Sequence, residues 1–359
     1  MTAPVPHWPG RMVSLAGGER VWVAATPGTL PAGGRDRPGT AAADRRDLAA
    51  PDFAAQPDIS AASGRDLVLC VHGMSGSATN WTDLMAELAP DFDCAALDLP
   101  GSGFSPPPSA GSGYSVGALA GTVIRLIEAL GGDPDHRGPV HLIGNSMGGA
   151  VAVRVAARRP DLIKTLTLIS PALPDLRPRR SAAHFPLIGL PFVGERLVRA
   201  YVARFPVEDR VAGVFAMCMH DPSRLHPDRV ALEVAALRRR DALGYDATSL
   251  ARAARTLVAE TLRPAPFSLW RAAARITAPS LVLFGTSDRL VDPRLAARAA
   301  RTFRDARVLV LPETGHLGQM ECPAQLARLF REMVEEARAP GSVSAGGDPR
   351  ASAGAPGQA

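Results

Sequence analysis

Three short motifs in this chain of 359 residues carry side chains suited to breaking a bond at a carbonyl carbon. Gly144-Asn145-Ser146-Met147-Gly148-Gly149 sets a serine among glycines, Gly285-Thr286-Ser287-Asp288 ends in a carboxylate, and Pro312-Glu313-Thr314-Gly315-His316 ends in an imidazole. A serine hydroxyl is a competent nucleophile only if a base takes its proton during the attack. Histidine, with an ordinary pKa of about 6.5, suits that task and the return of the proton to the leaving group. An aspartate beside the imidazole fixes its tautomer and stabilises the imidazolium. Together the three residue types point to nucleophilic acyl transfer, provided the fold brings them together.

Each motif follows a strand-like run. Ser146 comes after the apolar run Pro139 to Ile143 and before the helix-like stretch Ala150 to Ala157, so a strand, a turn and a helix meet at the serine. A reversal within two or three residues strains the serine and brings strand and helix too close for Cβ atoms, a demand that glycine at 144 and 148 answers. It also sets the hydroxyl beside backbone N–H groups that no helical carbonyl claims. Gly-x-Ser-x-Gly alone recurs by chance in Gly/Ser-rich turns; the strand-to-helix setting gives it weight.

Further short apolar runs stand at Leu67 to Val71, Cys94 to Leu97, Ile163 to Ile169, Ser280 to Phe284 and Val308 to Leu311, as strands covered on both faces do. Met12 to Leu15 and Arg20 to Ala24 flank Gly17-Gly18 and predict an edge hairpin. Helical spacing separates the runs at Trp81 to Leu88, at Val116 to Leu130 closed by Gly131-Gly132, at Arg294 to Phe303 and at Pro323 to Val334. Such alternation predicts an α/β fold, a parallel sheet with helices on both faces. The strand carboxyl ends then share one edge, where Ser146, Asp288 and His316 can converge.

Between 173 and 267 the alternation gives way to helical patterns at Val193 to Phe205, Val211 to Met219, Pro227 to Leu243 and Thr248 to Leu262, which predicts an inserted helical lid. Its apolar residues Phe185, Leu187, Ile188, Leu190, Phe192, Phe215, Met217 and Met219 could face a substrate pocket, but most of them are expected to form the lid's own core. The chain thus divides into a core over 1–172 and 268–337 and a lid over 173–267. Residues 26–64 and 338–359 hold few large apolar side chains and read as a flexible insert and a disordered tail. The remaining stretch of roughly 300 residues suffices for one large domain with an inserted module.

The net charge of +5 rests almost wholly on arginines scattered among acids, with Lys164 the only lysine. Arg45-Arg46, Arg179-Arg180 and Arg238-Arg239-Arg240 read as solvated faces, and no nucleic-acid partner is expected. Met1 to Gly10 lacks a leader pattern and no run reaches about 18 apolar residues, so a cytoplasmic protein without an integral membrane segment is expected. Cys70, Cys94, Cys218 and Cys322 lack metal or disulfide spacing, so no metal and no other cofactor is expected; Cys70 and Cys94 read as buried thiols. Asp292 precedes Pro293 and a helix and reads as a capping residue rather than a rival to Asp288. His72 and Asp98 read as structural, and His7, His136, His141, His184, His220 and His226 take no catalytic role.

In order along the chain, His72-Gly73, Asp98-x-Pro100-Gly101-x-Gly103-x-Ser105, Gly144-x-Ser146-x-Gly148-Gly149, Gly285-x-x-Asp288 and Gly315-His316 resemble the motifs of esterase- and lipase-like serine hydrolases of the α/β-hydrolase fold. The resemblance covers residues 11–25 and 65–337. It implies a mostly parallel eight-stranded sheet with helices on both faces and an inserted helical lid. It also implies Ser146 as nucleophile, His316 as base, Asp288 as its orienting acid, and the backbone N–H groups of Met74 and Met147 as the oxyanion hole. The loop His72-Gly73-Met74-Ser75-Gly76 departs from the His-Gly-Gly-Gly of some esterases, and Ser146 departs from the aspartate of dehalogenases and epoxide hydrolases. The expected substrate is a small molecule, a carboxylic ester with an apolar portion, cleaved through an acyl-enzyme. Two alternatives stay open: carbon–carbon bond hydrolysis, because the elbow is also similar to that of ring-cleavage-product hydrolases, and a catalytically silent binding protein. Oligomeric state is left open.

Overall fold

The computed structural model describes residues 8–27, 29, 64–108, 113–131, 138–177, 179–182, 184–244 and 246–339. Nearly all of the expected insert at 26–64, the tail from 340 onward, Gly132, Arg45-Arg46, His7 and His136 lie outside the described residues.

Eight strands form one sheet: β1 (Gly10–Ser14), β2 (Arg20–Ala25), β3 (Leu67–Val71), β4 (Asp93–Leu97), β5 (Val140–Asn145), β6 (Ile163–Ile169), β7 (Ser280–Gly285) and β8 (Ala306–Leu311). Their order is β1-β2-β4-β3-β5-β6-β7-β8. The β1–β2 hairpin lies at the edge and turns at Gly17 and Gly18, both at positive φ. β2 also runs antiparallel to β4, and the pairings from β4 through β8 are parallel. After β3 the chain moves one way to β4, then crosses back to place β5 on the other side. That reversal opens a crevice beyond the carboxyl ends of β3 and β5, the usual place for a ligand in a parallel sheet.

Helices cover both faces. They are α1 (Thr82–Leu88), α2 (Val116–Gly131), α3 (Met147–Arg158), α4 (Phe185–Ile188), α5 (Val193–Arg204), α6 (Val207–Cys218), α7 (Pro227–Leu243), α8 (Asp246–Thr261), α9 (Leu269–Ala273), α10 (Leu295–Thr302), α11 (Gly318–Glu321) and α12 (Pro323–Arg338). β3 shows why its run is continuously apolar. Leu67, Leu69 and Val71 join the core shared with α2 and α3, while Val68 and Cys70 face the core shared with α1 and α12. Period-two side chains fill both layers, and each fully buried Leu or Val stabilises the fold by about 1.5–3 kcal/mol.

Helices α4 to α8 lie between β6 and β7, as the loss of alternation predicted. α6 starts four residues earlier than its apolar spacing suggested, at Val207, because Pro206 opens it and Glu208 and Asp209 occupy its first turn. The expectation that the insertion's apolar residues mostly form its own core is corrected. Phe215 and Met219 join a cluster that the insertion shares with Leu317 and Met320, with Met217 packed against it; Leu187, Leu190 and Phe192 are exposed. No helix among the described residues is long and apolar enough to cross a membrane.

Candidate active site

Ser146 sits between β5 and α3 with φ of 53° and ψ of −118°, a conformation that L residues rarely adopt. The two glycines around it are there for space. A Cβ on Gly144 would stand 2.5 Å from the Gly148 carbonyl oxygen, and one on Gly148 would stand 2.1 Å from the Val71 carbonyl oxygen. β5 and α3 therefore close to near contact, and the serine is lifted at the head of α3 where Met147 begins the helix.

The loop after β3 reaches the same point. A Cβ on Gly73 would lie 2.9 Å from Ser146 Cβ, so the chain leading to Met74 runs directly over the serine. His72 holds that loop. Leu99 N–H donates to its Nε2 (2.9 Å), which leaves Nδ1 to carry the proton and donate to Gly73 O (2.7 Å). The ring is fully buried and neutral: burial, aided by the Arg240 cation and opposed by the Gly73 bond, pushes its pKa down to about 4. Asp98 braces the next loop, accepting from Ala78 N–H and Phe104 N–H, each at 2.7 Å. Both residues stand in the structural roles the sequence suggested.

Asp288 and His316 come from the ends of β7 and β8 and meet through Oδ2 and Nδ1 at 2.9 Å. The other oxygen of Asp288 accepts from Leu290 N–H (2.8 Å) and Val291 N–H (2.9 Å). Burial opposes ionisation of Asp288, yet the His316 ring, the Val291 amide and the Ser170 hydroxyl outweigh it and hold the carboxyl below its ordinary range. The expectation that Asp292 caps the next helix is corrected: α10 opens at Leu295 behind Arg294, and Asp292 lies in the turn before it, its Oδ1 accepting from Arg294 N–H (2.9 Å) and its Oδ2 paired with the Arg294 guanidinium (2.8 Å).

Ser146, His316 and Met74 line one cavity of about 660 Å³. Its remaining wall is largely apolar, with Phe185 and Ile188 of α4, Leu197 and Tyr201 of α5 and Val214 and Met217 of α6. That volume and a mostly apolar lining with a few convergent polar groups suit a small organic molecule. Among the described residues no group of three His, Cys, Asp or Glu side chains could hold a metal.

Five supporting contacts escaped the sequence. Asn145 Nδ2 donates to His316 O (3.0 Å), tying the β5 end to the histidine loop. Glu321 accepts from Gly315 N–H (2.9 Å) and His220 N–H (2.7 Å), and His316 N–H donates to Cys218 O, so the end of α6 is stitched to the same loop. Arg240 is buried, not solvated: its Nη1 donates to Ser75 O (2.5 Å) beside Met74. Arg239 lies over the Phe104 ring at 3.9 Å, and only Arg238 of that run is exposed, paired with Glu208. Local charge patterning could not separate the three arginines, since their partners are distant in the chain.

The family model for the α/β hydrolase fold matches residues 66–323. The chain is 26% identical over 273 residues to a pimeloyl-[acyl-carrier protein] methyl ester esterase of Neisseria meningitidis, covering 75% of this chain and 93% of that one. It is 36% identical over 108 residues to a dihydrolipoyllysine-residue acetyltransferase component of an acetoin cleaving system from Cupriavidus necator, spanning 27% of that protein's length. Among solved structures, a thermophilic esterase from Thermogutta terrifontis superposes with a TM-score of 0.62 at 22% identity, over 92% of this chain and 100% of that one. With its eight-stranded sheet, its elbow at Ser146 and a family match over most of its length, the chain belongs to the α/β-hydrolase fold family of enzymes.

Proposed function

We propose that the protein hydrolyses a carboxylic ester with an apolar portion through an acyl-enzyme on Ser146. His316 takes the serine proton as the hydroxyl adds to the carbonyl carbon, then gives it to the departing alcohol; water then adds to the acyl carbon as His316 takes one of its protons, and His316 returns that proton to Ser146 Oγ as the acid leaves. Asp288 holds the imidazole by its Nδ1–H and balances the positive charge that forms. The N–H groups of Met74 and Met147 receive the oxyanion, where loss of one donor typically costs about 3 kcal/mol of barrier. Residues 173–267 act as a lid over the core of 1–172 and 268–337. The observation that carries this reading is the Asp288–His316 hydrogen bond, made at the wall of the cavity that Ser146 also lines.

The test is turnover of p-nitrophenyl esters of graded acyl length, beside Ser146→Ala and a serine-reactive phosphonate. Turnover that falls by about 10⁴-fold or more in Ser146→Ala, with phosphonate labelling of the parent only, supports the reading. Parental turnover in Ser146→Ala overturns it. The elbow Gly144-Asn145-Ser146-Met147-Gly148-Gly149 also favours a second reading, carbon–carbon hydrolysis of a ring-cleavage product. Labelling without ester turnover, followed by a substrate whose carbon skeleton is split, would select it.

A further inference from the structure

The helical insertion presents to solvent a run of large apolar side chains that its packing does not use. Leu190 is 47% exposed and Phe192 83% exposed, the latter at the turn ahead of α5 with φ of 63°. α5 continues the surface. Val193, Leu197 and Tyr201 recur every four residues, so they run along one side of the helix, Phe205 just past its end stands 5.1 Å from the Tyr201 ring, and all four are exposed. Single exposed leucines are ordinary, whereas a contiguous apolar stripe of this length marks a surface that meets something.

Charge narrows what it meets. Arg196, Arg199 and Arg204 stand exposed on the same helix, and no ion pair is formed by any of them among the described residues. The one acid of α5, Glu195, is taken by Arg255 (3.1 Å). An apolar stripe flanked by Arg196 and by Arg204, whose guanidinium lies over the Phe205 ring at 6.0 Å, with Arg199 on the far side of the helix, suits a surface whose interior is hydrocarbon and whose boundary carries phosphate. A second copy of this chain would satisfy the apolar side chains but would set Arg196 and Arg204 against the same two, which is repulsive.

The stripe is also continuous with the cavity: Leu197 and Tyr201 are exposed at the surface and line the cavity that Ser146 and His316 line. We propose that the α4–α5 face docks on an anionic lipid bilayer. Docking needs no chemistry; that it would deliver an ester dissolved in the bilayer to Ser146 rests on the hydrolase reading above.

The experiment measures binding on the full chain carrying Ser146→Ala, so that docking and turnover are read separately. Sedimentation is compared for phosphatidylcholine vesicles and for vesicles of phosphatidylcholine mixed with phosphatidylglycerol. Binding should favour the anionic vesicles and weaken with salt. The pair Leu190→Asp and Phe192→Asp, neither of which lines the cavity, should lower it by about tenfold or more. Arg196→Glu with Arg204→Glu should reduce binding to the level seen with neutral vesicles. No sedimentation, equal sedimentation with both vesicle types, or binding indifferent to the Leu190 and Phe192 changes would overturn the proposal. So would a dimer in light scattering that those changes dissolve while vesicles bind nothing, which would assign the face to a second copy. Hydrolysis of a soluble short-chain ester by the parent and by the Leu190/Phe192 variant with Ser146 intact judges the chemistry on its own.

Discussion

Arg229 on α7 is 1% exposed, and Phe192 ahead of α5 is 83% exposed, although both belong to the same helical insertion. The usual distribution is inverted, with a charge inside and an aromatic ring outside. Arg229 pairs with Asp83 of α1 (2.9 Å) and Glu233 (3.3 Å) and donates to Thr79 O, while Arg240, farther along α7, holds Ser75 O. α7 thus grips the loop and helix that follow β3, the segment that passes over Ser146. α4 and α5 are attached differently, chiefly to α8, where Arg255 joins Glu195 and donates to Gly189 O (2.8 Å). One half of the insertion is scaffold for the site and the other half is surface beside its opening.

Five expected outcomes would sharpen or break that contrast. The largest concerns the chemistry both halves serve: Asp288→Asn should keep the fold and lower kcat by about 10⁴-fold, read by ester turnover beside thermal melting. A variant retaining parental kcat would leave the scaffold nothing to position. Next, Arg229→Ala strands two carboxylates in a buried setting and should cost about 3–5 kcal/mol of unfolding free energy in denaturant titrations. If the loss is below about 1 kcal/mol, as for a surface pair, α7 is no anchor.

Acidification should weaken the gripped region by a comparable amount. His72, fully buried, has its pKa pushed down to about 4 from an ordinary 6.5, so between those values the unfolded chain binds a proton that the folded chain refuses. Its stabilising contribution is complete above pH 6.5 and drains away toward pH 4. His141, also lowered to about 4, has the same sign, while Asp98, raised to about 6 from 3.8, has the opposite sign between those two values. The balance is a loss on the order of 3 kcal/mol. Denaturant midpoints that stay flat from neutral pH to pH 4 would deny that these imidazoles are buried neutral.

Arg240→Met should remove a charged donor from the Ser75 carbonyl, with a cost of about 1.5–3 kcal/mol that falls on kcat more than on KM. Arg240→Lys should recover part of the loss, since a cation again reaches the carbonyl; a change confined to KM would make Arg240 a wall of the cavity and nothing more. The smallest effect belongs to the other half. Phe192→Ser should alter stability by no more than about 0.5 kcal/mol, as exposed positions do. Destabilisation well beyond that would mean the ring is packed, and the contrast would fail.

Much of the fold was legible in the chain because its signals are local. β3 and β7 are unbroken apolar runs, α7 begins at Pro227 and ends at Gly244 in the left-handed conformation, and Gly17-Gly18 turn the edge hairpin. The elbow was legible for the same reason, since Gly144, Ser146 and Gly148 answer one another within five residues. Less local features were misjudged. The four-residue helix α4 has too few positions to show a period, and α6 hides its first turn behind Pro206 and two acids. Arg240 looks like its neighbours Arg238 and Arg239 until its partner, 165 residues away, is in place.

By itself the sequence determined where the strands and the longer helices lie, where the strained serine stands and which side chains could do acyl chemistry. Those properties depend on a few neighbouring residues: periodicity, a proline, a missing Cβ. Only the tertiary structure decided that Asp288 meets His316, that β3 and β5 are neighbours, that α7 buries Arg229 and Arg240, and that α5 turns apolar side chains outward beside the cavity. Those depend on which distant surfaces come together, and burial and charge pairing are settled at that contact, not along the chain.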